Sequence, residues 1–290
     1  MTTLFRTASL SLTTALLTSQ IIASPVLEMS WQANGFEQPE SVLASPDQNW
    51  LYVSNIKGHP LAADGDGYIT RLSADGSQRV SKWAEGMDAP KGMAIYQDKL
   101  YVADLQQLHV IDTQSGRKLT SIFAKEAKML NDVTVSNEGQ IFVSDLLTGQ
   151  IYTLNGQQLD IWMEHPELSH PNGLLAEGNS LLVADWGTGM KEDFTTSTPG
   201  TLYRVDLASQ SITAEASGYQ LGNLDGIVKI GDAYLVSDWI SGALYYLSDN
   251  ERIQLKQLPS GLADIGSQGD VLYAPFMMDN KVAAYRLLQQ

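Results

Sequence analysis

A short motif recurs six times along this chain, and the recurrence constrains the fold more than any single residue does. The six copies are Pro39-Glu40-Ser41, Pro90-Lys91-Gly92, Leu130-Asn131-Asp132, Pro171-Asn172-Gly173, Leu224-Asp225-Gly226 and Leu262-Ala263-Asp264. Each opens an apolar stretch, then a turn, then a second apolar stretch that usually ends in Asp or Asn. The middle residues are 51, 40, 41, 53 and 38 positions apart. A period of about 40 residues suits four-stranded propeller blades, two of them lengthened by insertions.

The second stretches align closely. Leu51-Tyr52-Val53-Ser54-Asn55, Leu100-Tyr101-Val102-Ala103-Asp104 and Leu181-Leu182-Val183-Ala184-Asp185 are examples. Such β-branched and aromatic runs, bounded by Gly, Asp and Asn, are strand signals. Third strands follow, among them Gly67 to Leu72 and Gln150 to Leu154, then less regular fourth strands such as Arg79 to Trp83 and Leu159 to Trp162. The sixth repeat stops after its third strand, while a spare strand, Val26 to Trp31, precedes the first. The expectation is all-β: a six-bladed β-propeller of four-stranded antiparallel blades over residues 25–290, with the N-terminal strand closing the last blade.

Residues 1–24 read as an export signal: Arg6, then an apolar, small-residue run, then a candidate cleavage position at Ala23 or Ser24. The chain of 290 residues has no cysteine, so no disulfide framework and no lipid-anchor cysteine. A protein exported to a bacterial periplasm or secreted, and monomeric, is the expectation. The formal net charge is −15, with no cluster of Lys and Arg. This argues against nucleic acid and an anionic membrane surface as partners, and a small-molecule substrate is the expectation, although acidity by itself does not identify one. Absent too are a Gly-x-Ser-x-Gly elbow, a phosphate-binding Gly loop and a dinucleotide fingerprint.

In a propeller the first strand of each blade lines the central channel, so equivalent triplet positions meet around the axis. Four of the six middle residues are oxygen donors: Glu40, Asn131, Asn172 and Asp225. Two carboxylates and two amides, with a formal charge of −2, form a hard-cation site. Calcium is the first expectation, with manganese, magnesium or zinc behind it. No His or Cys stands at an equivalent position to supply the softer donors zinc favours.

The ordered set Glu40, Asn131, Asn172 and Asp225, in register with the blades, resembles the regucalcin/gluconolactonase family of six-bladed propellers over nearly the whole chain. Paraoxonases and strictosidine synthases are more distant likenesses. The resemblance implies that Glu40, Asn172 and Asp225 bind the divalent metal. It implies that Asn131 binds substrate or extends the metal shell, and that Asp225 also serves as general base. The implied reaction is hydrolysis of a lactone or related ester.

The chain departs from that pattern at Met129, where the sugar-lactone hydrolases of the family carry an Arg. Lys91 is the substitute cation from the neighbouring blade. Trp186, Trp239, Phe276, Met277 and Met278 are expected around the same mouth, a lining more apolar than a sugar pocket needs. His59 is a further candidate there, as acid or base. His109 reads as packing, and His165 and His170 are too poorly spaced for a metal pair. The insertion 187–200 reads as a lid or as a surface loop. Two other readings stay open: a non-catalytic ligand- or protein-binding propeller with a structural calcium, and a different reaction on the same scaffold, such as dehydration or condensation.

Overall fold

The structure, a computed structural model, describes residues 25–248 and 251–288; the expected export signal over residues 1–24 lies outside the described residues. Six four-stranded antiparallel sheets follow one another along the chain. Blade 1 runs Pro39–Ala44, Trp50–Asn55, Gly67–Ser73 and Arg79–Met87 from its inner to its outer strand. Blades 2, 3 and 5 repeat this order over Pro90–Phe123, Leu130–Glu164 and Leu224–Gln257. Blade 4 does so over Pro171–Ala214, with a two-stranded hairpin, Gly187–Thr188 against Thr198–Pro199, inserted after its second strand. Blade 6 takes three strands from the C-terminal end, Gly266–Gln268, Val271–Phe276 and Lys281–Leu288. Its outer strand is Val26–Asn34, paired from Val26↔Leu288 to Asn34↔Lys281. The ring closes as the spare strand predicts, and the outer edge of Lys281–Leu288 that would otherwise be bare is covered.

Packing explains why the second strands read as continuous apolar runs. In blade 1, Leu51 and Val53 pack against Tyr273, Val282 and Ala284 of blade 6. Tyr52, between them in sequence, packs against Met93, Leu100 and Val102 of blade 2. Alternate side chains therefore serve opposite seams, and both faces of the strand are buried. Each of the six blade–blade seams carries one such apolar cluster. Full burial of a Leu, Val or Ile is worth about 1.5–3 kcal/mol, so the ring is held by its seams.

Blade 6 departs from the other five. Its triplet precedes the inner strand instead of opening it, since that strand is only Gly266–Gln268. The second strand ends in Pro275-Phe276 where the others end in Asn or Asp, and Leu262 keeps the usual pairing of the first triplet residue with that last position, as an isolated bridge to Phe276. Among the described residues no helix is long and apolar enough to cross a membrane.

Candidate active site at the channel mouth

The triplets sit on a recurrent irregularity. In blades 1 to 5 the inner strand pairs at the first triplet residue, skips the second and third, and resumes one position later. A bulge re-aims side chains and leaves backbone groups unpaired. The freed N–H of Ser41, Asp132 and Gly226 donates to the hydroxyl of Ser54, Ser144 and Ser237, each one residue before the end of its second strand. Ser144 and Ser237 in turn donate to Asn172 O and Ala263 O of the following blade, 2.7 and 2.9 Å away. The terminal Asn or Asp has a matching task. Asp104 accepts from Asp88 N and Ala89 N at 2.7 Å, and Asp145 accepts from Lys128 N and Met129 N. The residues leading into each triplet are thereby anchored to their own blade. His109, buried in blade 2, bonds Asp104 Oδ2 at 2.9 Å and Ser121 at 2.7 Å, so its role is to hold this anchor. Burial raises the Asp104 pKa, but the His109 bond and charge, with the two N–H donors, bring it below the usual range.

Above the bulges lies a cavity of about 270 Å³. Glu40, Asn131, Asn172 and Asp225 all line it and are all buried. Asn172 Nδ2 donates to Asp225 Oδ1 at 3.0 Å and to Leu224 O at 3.2 Å, which turns its Oδ1 the other way. That oxygen and Glu40 Oε2 are buried with no hydrogen-bond partner. Buried acceptors without partners are rare and costly, and two in one cavity fit a missing cation. Burial, then the charges of Asp225 and Asp264, push the Glu40 carboxyl well above its usual range, with Lys91 acting against them. Burial and then Asp264 push Asp225 up as well, against its bond from Asn172. A divalent cation would relieve that repulsion. Among the described residues no three His, Cys, Asp or Glu side chains group as a metal site; the donor set here is two carboxylates and two amides, which suits a hard cation.

The substrate-side candidates divide. Lys91, His59, Met129, Trp186 and Trp239 line the cavity. Lys91 is fully buried and donates to Ala89 O at 2.7 Å and Pro60 O at 3.2 Å; burial lowers its pKa against the pull of Glu40, Asp104 and Asp145. His59 is on the exposed blade 1 loop, its Nδ1 accepting from Leu61 N. Phe276 is placed elsewhere: it is buried in the seam between blades 5 and 6, while Met277 and Met278, expected beside it, do line the mouth. The short 3-10 turn Met277–Asp279 directly after the strand carries those two over the opening.

Five lining residues went unmarked in the sequence: Gln38, Ile56, Pro60, Leu146 and Phe194. Ile56 and Leu146 each follow the terminal Asn or Asp of a second strand, the position Trp186 and Trp239 occupy in blades 4 and 5, so register was the available signal. Phe194 comes from the blade 4 hairpin, and only the fold brings it in. Also missed was a deeper layer at the third triplet position. Asp132 and Asp264 are buried there, and Ser41 Oγ donates to Asp264 Oδ2 at 2.5 Å. Burial pushes Asp264 up to about 7. Glycine fills this layer in blades 2, 4 and 5 because a neighbour lies against it; a Cβ on Gly173 would stand 1.9 Å from Asp225 O.

No family model matches the chain, and no curated protein matches it by sequence. Solved structures do match. A protein provisionally assigned as a gluconolactonase superposes with a TM-score of 0.63 at 18% identity, over 91% of this chain and 93% of that one. A chain of a nidogen/laminin complex superposes with a TM-score of 0.62 at 16% identity, over 76% of this chain and 86% of that one. One of these is assigned as an enzyme and the other sits in a protein complex, so the likeness establishes a shared propeller fold and nothing finer.

Proposed function

We propose that the channel mouth binds a divalent cation, calcium before manganese, magnesium or zinc, and hydrolyses a lactone or related ester. The observation that carries this reading is the pair of buried, partnerless oxygens, Glu40 Oε2 and Asn172 Oδ1, in one cavity with Asp225 and Asn131. Glu40, Asn172 and Asp225 would hold the ion, with Asn131 beside them. When bound, a hard divalent cation supplies Lewis acidity toward a carbonyl oxygen. Asp225 is the base: it takes a proton from the attacking water as the new C–O bond forms. Asn172 Nδ2 fixes the other end of that carboxylate's orientation through Oδ1. Asn131 orients the substrate through its amide. The bond from carbonyl carbon to leaving oxygen then breaks, that oxygen takes the proton, and the product is an acid with an alcohol on the same or a separate molecule. Lys91, with two of its three ammonium donors on backbone carbonyls, stays fixed near the carboxylate product.

The test is a panel of small lactones and aryl esters, assayed with calcium, manganese, zinc or a chelator. Metal-dependent turnover is expected, and Asp225→Ala should abolish both turnover and metal binding. Turnover that survives in this variant sinks the assignment of Asp225. Metal bound without turnover of any panel member favours a non-catalytic binding propeller.

A further inference from the structure

We infer that the mouth selects esters or lactones with an apolar alkyl or aryl arm, and that Phe194 sets this preference. The identity of the bond cleaved rests on the hydrolase reading above; the chemistry of the wall does not.

The walls carry the inference. Ile56, Met129, Leu146, Trp186, Phe194 and Trp239 surround the upper cavity. Met129, Leu146 and Trp186 form a buried cluster of their own, with Phe194 and Trp239 packed against it and the two indoles 6.1 Å apart. Met278, which is exposed, extends the apolar surface outward beside Pro60 and Met277. Outside the cation donors Glu40, Asn131, Asn172 and Asp225, the polar side chains of the lining already have partners. Gln38 Oε1 accepts from Gly58 N, Lys91 donates to Pro60 O and Ala89 O, and His59 Nδ1 accepts from Leu61 N. A polyhydroxylated ring would lose water from several hydroxyls and find few partners for them, whereas an alkyl arm finds a matching surface.

Phe194 stands apart within that wall. Its φ is +64, an unfavourable conformation for a bulky residue, and such outliers persist only where surrounding contacts enforce them. The enforcing contacts are visible. Trp186 Nε1 donates to Phe194 O at 2.8 Å, and the hairpin is closed by the Gly187↔Pro199 and Thr188↔Thr198 pairs. Asn223 of the next blade's loop clamps it through Trp186 O and Thr196 Oγ1, both at 2.9 Å. Gly187, at φ +115, admits the close return strand, since a Cβ there would lie 2.3 Å from Thr198 O. The whole inserted hairpin thus delivers one aromatic ring to the cavity.

The test uses the calcium-loaded protein and γ-lactones with alkyl tails from none to eight carbons, against glucono-δ-lactone. The expected result is a rise in kcat/KM of about fourfold per methylene until the wall is spanned. Gluconolactone should fall about 100-fold or more below the longest tail. Phe194→Ala should flatten the dependence on tail length, and Phe194→Leu should restore most of it. A flat series, or a preference for gluconolactone, overturns the inference and leaves the hydrolase reading standing. If no lactone or ester turns over, the hydrolase reading fails, and binding of γ-octyl-γ-lactam followed by tryptophan fluorescence decides the inference. Tail-dependent binding weakened by Phe194→Ala sustains it; no binding, or binding indifferent to the tail, overturns it.

Discussion

Glu40 shows how a site can be a burden to the fold that carries it. Its carboxyl is buried among Asp225, Asp264 and Asp132, and one of its oxygens has no partner. Glu40→Gln removes a charge at nearly constant shape. In chelator the variant should therefore be more stable than the parent, by about 1–2 kcal/mol. Added calcium should raise the parent's melting temperature but not the variant's. Thermal unfolding of both proteins with and without calcium checks both signs at once. The oxygens of Glu40, Asn131, Asn172 and Asp225 were legible in sequence because they share one repeat position. Asp132 and Asp264 occupy the adjacent position and were equally visible, but Gly and Ser in the other copies masked the pattern. Phe276 was misplaced because it is the last residue of its strand, where the other blades carry Asn or Asp, and packs into the seam; only Met277 and Met278 in the turn after it reach the mouth.

Two elements depend on a pairing that local sequence does not announce. The strand Val26–Asn34 is mostly open to solvent, with Glu28, Met29 and Ser30 exposed, and buries Leu27 in the seam with blade 5. Its removal would leave Lys281–Leu288 as a long bare edge and open the ring. Deleting residues 25–34 from the chain should abolish the single cooperative melting transition seen by circular dichroism and give aggregates on size exclusion. A sharp melt at unchanged temperature would show that closure is dispensable. The place of this strand was legible by counting, since one repeat lacked a strand and one strand lacked a repeat. The blade 4 hairpin was legible only as extra length between Trp186 and Gly200. Its two-residue strands are too short for any periodic signal, and Phe194 reaches the mouth through a backbone conformation that sequence does not forecast.

At the scale of the molecule, the channel concentrates negative charge on a chain already at −15. Asp264 has its pKa raised by burial to about 7, against roughly 3.9 for an unfolded Asp. The folded protein therefore binds a proton that the unfolded chain does not across that interval. Stability from this group falls as pH rises from about 4 through about 7, and below about 4 it makes no difference. In chelator, Asp264→Asn should be increasingly more stable than the parent as pH rises through that window and level off above it. Urea unfolding of the two proteins at a series of pH values measures the difference. A constant gap across the window would remove Asp264 as the titrating group. The six seams were legible as a whole because every second strand repeats one apolar run with two buried faces. The closing strand has a consequence in time as well as in space. Leu27 pairs with Leu287, so the propeller's N-terminal strand has no partner until its C-terminal strand has been made. Loop-closure entropy weighs most on such end-to-end contacts, which makes them slow. Five blades can stack as they emerge, while the sixth stays unfinished and its edge stays adhesive until the propeller's two terminal strands meet. For this protein the interval between the fifth blade and the closing strand is when misassembly with a second copy competes with folding.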